Sequence, residues 1–283
     1  MEHFIAHYLE PNKKGQSVRE HLHEVSDAAS IFAGKVGLPS MGQLMGLLHD
    51  FGKYSEAFQI YIRSAEGMLD PDAEPVDANE LKGKIDHSTA GAQRIWGAPR
   101  GHHPASRLAM QAVALCIASH HSGLIDCISP SGEDKFSARM AKRSEKTHLK
   151  EALKVADQEI LAEVDGLLHS LRWTEELQNQ LERLFSDENS SEVREFYLGL
   201  LVRFLFSALI DADRLSAAGR SSTSDGQTMW DHLIQRLERH VSGIKPGNWV
   251  DELRSEVSLA CREFASPLAQ GRGLKPFKSR MSS

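Results

Sequence analysis

The run Leu47-Leu48-His49-Asp50-Phe51-Gly52-Lys53 limits what this chain can fold into more than any other stretch. It sets an imidazole and a carboxylate side by side in an apolar pattern. Such groups are poor core material, because each loses its hydration on burial unless it is paired or bound to a metal. The same intrusion recurs at His21, His87, His120-His121 and the acidic Asp211-Ala212-Asp213 near the end of a long apolar segment. A fold that tolerates all of them brings them together. The expectation is an all-α helical bundle around a central metal site that holds two ions.

Helical periodicity runs through the sequence, while strand signals are nearly absent. Ser17 is a good N-cap, and Val18, Leu22, Val25, Ala29 and Phe32 follow at helical spacing up to Gly37-Leu38-Pro39. Ser40 opens a second predicted helix carrying Leu44, Leu47, Leu48 and Phe51. Another starts at His87, and Leu108 to Ser119 reads as a core helix ending at His120-His121. Further helices are expected over 150–170, 174–186, 192–216, 228–242 and 249–265. The apolar stretch Tyr197 to Ile210 is too short to span a bilayer and suits a buried core helix. Residues 67–83, with Asp70-Pro71-Asp72 and Glu74-Pro75, read as a surface loop. Gly97 to Pro104 reads as another, with His102-His103 as loop surface. Residues 126–148 are expected to be a mobile insertion within a domain over 1–265, and 266–283 an extended tail.

Composition narrows the functional classes. A chain of 283 residues with 41% hydrophobic and 25% charged residues is an ordinary globular protein with ample core. Its net charge of −6 argues against a generally basic protein that coats nucleic acid. Two divalent ions would offset much of that charge, so a DNA substrate stays compatible. Cys116, Cys127 and Cys261 are too few and too scattered for a disulfide framework or a thiolate zinc site. The first residues lack a signal peptide's basic and apolar regions, and the cytoplasm is the expected location.

Mixed imidazole and carboxylate donors suit Mn²⁺, Fe²⁺, Ni²⁺ or Zn²⁺. His49 and Asp50, about 100° apart around a helix axis, can both reach an ion against the helix flank. Asp50 has a second oxygen for a neighbouring ion. His21 and an acid from Asp211 or Asp213 would complete one shell, and His87, His120 and His121 the other. Two such ions ionise a bridging water near neutral pH and stabilise both oxygens of an in-line phosphoryl displacement. Lys53, one turn beyond His49-Asp50, is expected in the same cavity as a catalytic cation on a phosphate oxygen; the alternative is a solvated helix end. Taken singly, His21 reads as packing and either acid as a helix end. Together they would require several coincidences.

These blocks resemble a known family. His21 followed by Val25 and Ala29, with His49-Asp50 in its apolar run, is the pattern of the HD phosphohydrolase superfamily. Lys84 to Ala92, Ser119 to Leu124 and Phe206 to Leu215 are similar to the HD nuclease domain of the CRISPR-associated helicase-nuclease of type I systems, over about 17–265. The resemblance implies metal-dependent cleavage of single-stranded DNA delivered by an RNA-guided surveillance complex. It implies two divalent ions (Mn, Fe, Ni, Zn or Mg) on His21, His49, Asp50, His87, His120, His121 and an acid. Alignment of Ala212-Asp213 favours Asp213, with Asp211 as the alternative. The helicase that often follows this domain is expected elsewhere, since GxxxxGK[ST] is missing. The chain is then a stand-alone subunit or an excised domain.

Lys135, Arg139, Lys142 and Arg143, continued by Lys146 and Lys150, form a basic cluster that would hold the DNA backbone. With Glu133, Asp134 and Glu145 interspersed, it also reads as a charge-balanced surface. Phe136 is the nearby aromatic for base stacking. Two other readings use the same residues: hydrolysis of nucleotides or cyclic dinucleotides, and a non-catalytic, metal-stabilised interaction module.

Overall fold

Ser17 closes a capping box that starts the first helix: its hydroxyl accepts from the Glu20 N–H while Glu20 reaches back to the Ser17 N–H. The structure is a computed structural model and describes residues 4–9, 14–65, 85–98, 105–185, 190–219, 226–243 and 247–265. The loops expected at 67–83 and around His102-His103 and the tail from 266 lie outside the described residues. The chain divides into two units, residues 1–222 and 223–283.

In the first unit, strands β1 (Ile5–Leu9) and β2 (Lys14–Ser17) form an antiparallel hairpin with an irregularity between Ile5 and His7. Nothing in Lys-Gly-Gln-Ser alternates in polarity, so β2 carries no strand signal. Backbone pairing makes this hairpin, helped by Gln59, whose side chain accepts from the Ile5 N–H and donates to the Ile5 carbonyl.

Helix α1 (Val18–Gly34) buries Val18, Leu22, Val25, Ala29 and Ala33 along one face. It lies against α2 (Pro39–Leu48). Pro39 takes the first turn of α2, where a missing N–H costs nothing. Ser40 is therefore inside the helix rather than capping it, and Glu176 accepts from both its N–H and its hydroxyl. Helix α2 stops at Leu48. His49 is its C-cap, and Asp50 leaves helical geometry at φ −111° to lead a 3-10 turn, Phe51–Tyr54. Phe51 is thus buried from that turn and not from α2, as the periodicity had suggested.

Helix α3 (Glu56–Ala65) precedes α4 (Ser88–Trp96) and the core helix α5 (Ser106–Ser119). Gly91 of α4 makes a close crossing possible: a Cβ there would sit 1.7 Å from the Leu48 carbonyl oxygen. Segment 126–148 holds two short helices, α6 (Lys135–Met140) and α7 (Ser144–Thr147). Gln93 of α4 donates to the carbonyls of Met140 and Lys142 and accepts from Thr147. Three helices follow, α8 (Leu149–Val155), α9 (Gln158–Ser170) and α10 (Arg172–Leu184).

Helix α11 (Ser191–Ala217) contains the stretch Tyr197 to Ile210 that reads as a buried core helix. Leu201, Leu205, Leu209 and Ala212 do face the core, but Phe196 is 62% exposed and Leu200 46%. The stretch is apolar on more faces than the first unit covers. The second unit holds α12 (Gly226–Ser242) and α13 (Trp249–Ala265). The all-α expectation holds. Among the described residues, no helix is long and apolar enough to cross a membrane.

Candidate metal centre

Helix ends deliver most of the polar groups that the sequence singles out. His49 caps α2, His87 is the N-cap of α4, His120 caps α5 and His121 follows it. A helix end is where polar side chains can turn away from packed faces toward a shared space. His21 comes from the middle of α1 and Asp213 from near the end of α11.

These residues form two clusters, one of His21, His49, Asp50 and Asp213, the other of Asp50, His87, His120 and His121. Within each, the candidate donor atoms lie within 4.8 Å of one another. Asp50 belongs to both. Its Oδ2 lies 3.2 Å from His21 Nε2 and 3.3 Å from His49 Nε2. Its Oδ1 lies 3.2 Å from His120 Nε2, 3.6 Å from His87 and 3.7 Å from His121. Asp213 Oδ1 approaches His21 and His49 at 3.4 and 3.6 Å. Asp211 is exposed on another face of the helix.

Backbone acceptors orient the rings. His49, His87 and His120 face the carbonyl oxygens of Gly46, Ile85 and Ile117 through Nδ1, at 2.8, 3.1 and 2.7 Å. A carbonyl only accepts, so each Nδ1 carries a hydrogen and each Nε2 is aimed inward. The result is crowding of nitrogens: His21 Nε2 is 3.1 Å from His49 Nε2, and His87 Nε2 is 2.6 Å from His121 Nε2. Nitrogen lone pairs this close repel unless a proton or a metal cation lies between them. The donor set, imidazoles with carboxylates, fits divalent transition metals.

Burial and the close charges shift several of these groups in opposite directions. Burial disfavours the charged form of His49, but Asp50 and Asp213 overcome it and raise its pKa to about 10. Burial, with Lys53 and the neighbouring histidines, pushes His87 down to about 3, and burial also lowers His120. Burial works against an ionised Asp50, yet the Lys53 ammonium and His49 hold its carboxyl well below the usual range. Asp213 is held down too, with hydrogen bonds from His21 and His49 outweighing burial.

Lys53 is not a solvated helix end. It is buried, its Nζ 2.7 Å from Asp50 Oδ2 and 3.1 Å from the Ala6 carbonyl oxygen that it donates to. The ammonium is engaged by the shared carboxylate and by β1. His7, a further histidine at the site, stands edge-on to His21 with ring centroids 4.9 Å apart. Its buried Nε2 has no hydrogen-bond partner, and burial with the charges of His21 and Lys53 lowers its pKa to about 4. It sits in a strand with no periodic signal, so nothing in the sequence marked it.

The basic cluster divides. Arg139 donates to Thr89 and Ser88, and Lys142 lies 2.5 Å from Asp86, the residue before His87. Both brace the start of α4 across about fifty positions of sequence, a link that local charge pattern cannot reveal. Lys135 is exposed and paired with Glu133, and Arg143 is exposed. Phe136 is not available for base stacking: it is 2% exposed and packs edge-on against Trp96. Its charged sequence neighbours suggested a surface position, but α6 turns this one face inward.

The family model described as Cas3, HD domain, matches residues 5–202. The chain belongs to this family. Membership in the Cas3 HD family makes it a metal-dependent hydrolase of the HD nuclease type from CRISPR systems, acting in a nucleic-acid context. The match takes in His21, His49, Asp50, His87, His120 and His121, and Asp213 lies past its end. No curated protein matches the chain.

Proposed function

We propose that this chain cleaves single-stranded DNA in CRISPR interference by hydrolysing phosphodiester bonds at the paired clusters. The strand would be delivered by an RNA-guided surveillance complex and unwound by a helicase subunit or domain. The observation that carries the reading is the double role of Asp50, which turns one carboxylate oxygen toward each group of histidines. One carboxylate between two imidazole sets is the donor pattern for a close ion pair.

In this reading His21, His49 and Asp213 hold one divalent ion, and His87, His120 and His121 hold the other. Bound Mn, Fe, Ni, Zn or Mg would supply ionisation of water near neutral pH and neutralise charge on phosphoryl oxygens. His49 and Asp50, fixed at the end of α2, keep the donors in register. Lys53 balances Asp50 and holds its Oδ2 in place, a positioning role instead of the phosphate contact expected from the sequence. Exposed Arg143, and Lys135 on releasing its surface pair with Glu133, would meet the DNA backbone, and Arg139 and Lys142 would steady His87 through Asp86.

The test is incubation of metal-loaded protein with labelled single-stranded DNA and, separately, with nucleotides and cyclic dinucleotides. A His49→Ala/Asp50→Ala variant serves as control. Metal-dependent DNA cleavage that vanishes in the variant is expected. Equal cleavage by the variant refutes the assignment, and nucleotide turnover with DNA inert moves it to small-molecule hydrolysis.

A further inference from the structure

Three of the inward-facing histidines are oriented by main-chain carbonyls, and His21 is not. Its Nδ1 meets the Ser216 hydroxyl at 3.0 Å, from the last turn of α11. That hydroxyl donates to Glu24 Oε2 at 2.7 Å, and Gln16 Nε2 donates to the same oxygen at 2.7 Å. Gln16 comes from β2, and His21 and Glu24 from α1 one turn apart. His21, Ser216 and Gln16 are all buried.

The proton count fixes the direction. A serine hydroxyl has one hydrogen, and here it goes to the carboxylate. Ser216 Oγ therefore accepts from His21, whose Nδ1 must carry the hydrogen. In the neutral ring that hydrogen leaves the Nε2 lone pair for a cation held between His21, Asp50 and Asp213. Ser216 also stands one turn after Asp213 on the same helix, so α11 grips the His21 ring from one nitrogen and faces the other with a carboxylate.

We infer that Ser216 and Glu24 form a carboxylate–hydroxyl–imidazole relay that fixes the tautomer and ring orientation of His21, making them positioning residues for the first metal cluster. The inference rests on the metal-centre reading above. Groups that orient a ligating histidine in this way set its basicity as well as its direction, and their loss commonly weakens metal binding about 10- to 100-fold. Neither residue has a sequence signal, and Ser216 lies outside the residues that the family model matches.

The experiment titrates Co²⁺ into the full chain carrying His121→Ala, which leaves the four donors of the first cluster in place, and follows visible absorption and affinity. Ser216→Ala added to that background is expected to weaken Co²⁺ binding about 10- to 100-fold and to shift the absorption band. Ser216→Thr keeps the hydroxyl and is expected to restore both. Glu24→Gln, which keeps the shape but weakens the acceptor, is expected to move both the same way by less. Parent-like affinity and band in Ser216→Ala overturn the relay; should that variant fail to fold, parent-like values in Glu24→Gln do so. If the His121→Ala parent itself shows no Co²⁺ band that depends on Asp213, the metal-centre reading fails instead, a distinct result.

Discussion

Lys53→Met separates charge compensation from contact with substrate. The ammonium and Asp50 Oδ2 are 2.7 Å apart and nearly excluded from water. Removing one partner of such a buried pair typically costs about 3–5 kcal/mol. His49, raised in pKa and 3.3 Å from the same oxygen, still offers positive charge, so the low end of about 3 kcal/mol is expected. In a body of this size each kcal/mol moves Tm by about 2–4 °C, which gives a fall of about 6–12 °C in EDTA. Saturating Mn²⁺ puts a divalent charge beside Asp50 and takes over the work of the ammonium. The remaining loss is the hydrogen bond to Ala6, about 1 kcal/mol, or about 2–4 °C. Thermal melts of wild type and variant in EDTA and in Mn²⁺ give four numbers. A Tm difference that is the same in both buffers refutes the argument that Lys53 and the metal answer one charge.

Gly91→Ala drives a methyl into the Leu48 carbonyl, so a loss of about 1–3 kcal/mol or more in urea titration is expected, and an unchanged midpoint would show that α4 can move aside freely. Phe136→Ala should cost about 3–5 kcal/mol through the cavity left beside Trp96. A stable Phe136→Ala protein with weakened DNA binding would return that ring to a stacking role. Lys135→Ala/Arg143→Ala should reduce the slope of log affinity for single-stranded DNA against log salt by about 0.7 per lost phosphate contact. Fluorescence anisotropy at several salt concentrations measures it, and an unaltered slope sends the DNA path elsewhere.

What was legible in the sequence follows from physical cost. His49, Asp50, His87 and His120 interrupt apolar patterns, and burying such groups demands partners, so their convergence was readable without a structure. Helices with one apolar face, such as α1, were readable for the same reason. The β1–β2 hairpin was not, because its bonds are main-chain and its second strand, Lys14–Ser17, is polar throughout. Ser216 and Glu24 look like any serine and glutamate at helical positions; only the link from His21 through Ser216 to Glu24 distinguishes them. Phe136 was misjudged from its charged sequence neighbours, whereas Trp96 is what it packs against; Lys53 does lie beside Asp50, as its place one turn on suggested. Choosing between Asp211 and Asp213 needed the rotation of α11, which an apolar run covering several faces does not define.

The span between His21 and Ser216, 195 positions along the chain, has a consequence for biosynthesis. While the polypeptide is still emerging from the ribosome, His21 has neither Asp213 nor the Ser216 hydroxyl that complete its surroundings. A half-made copy can therefore gather Asp50, His87, His120 and His121, but the cluster around His21 is complete only once α11 docks.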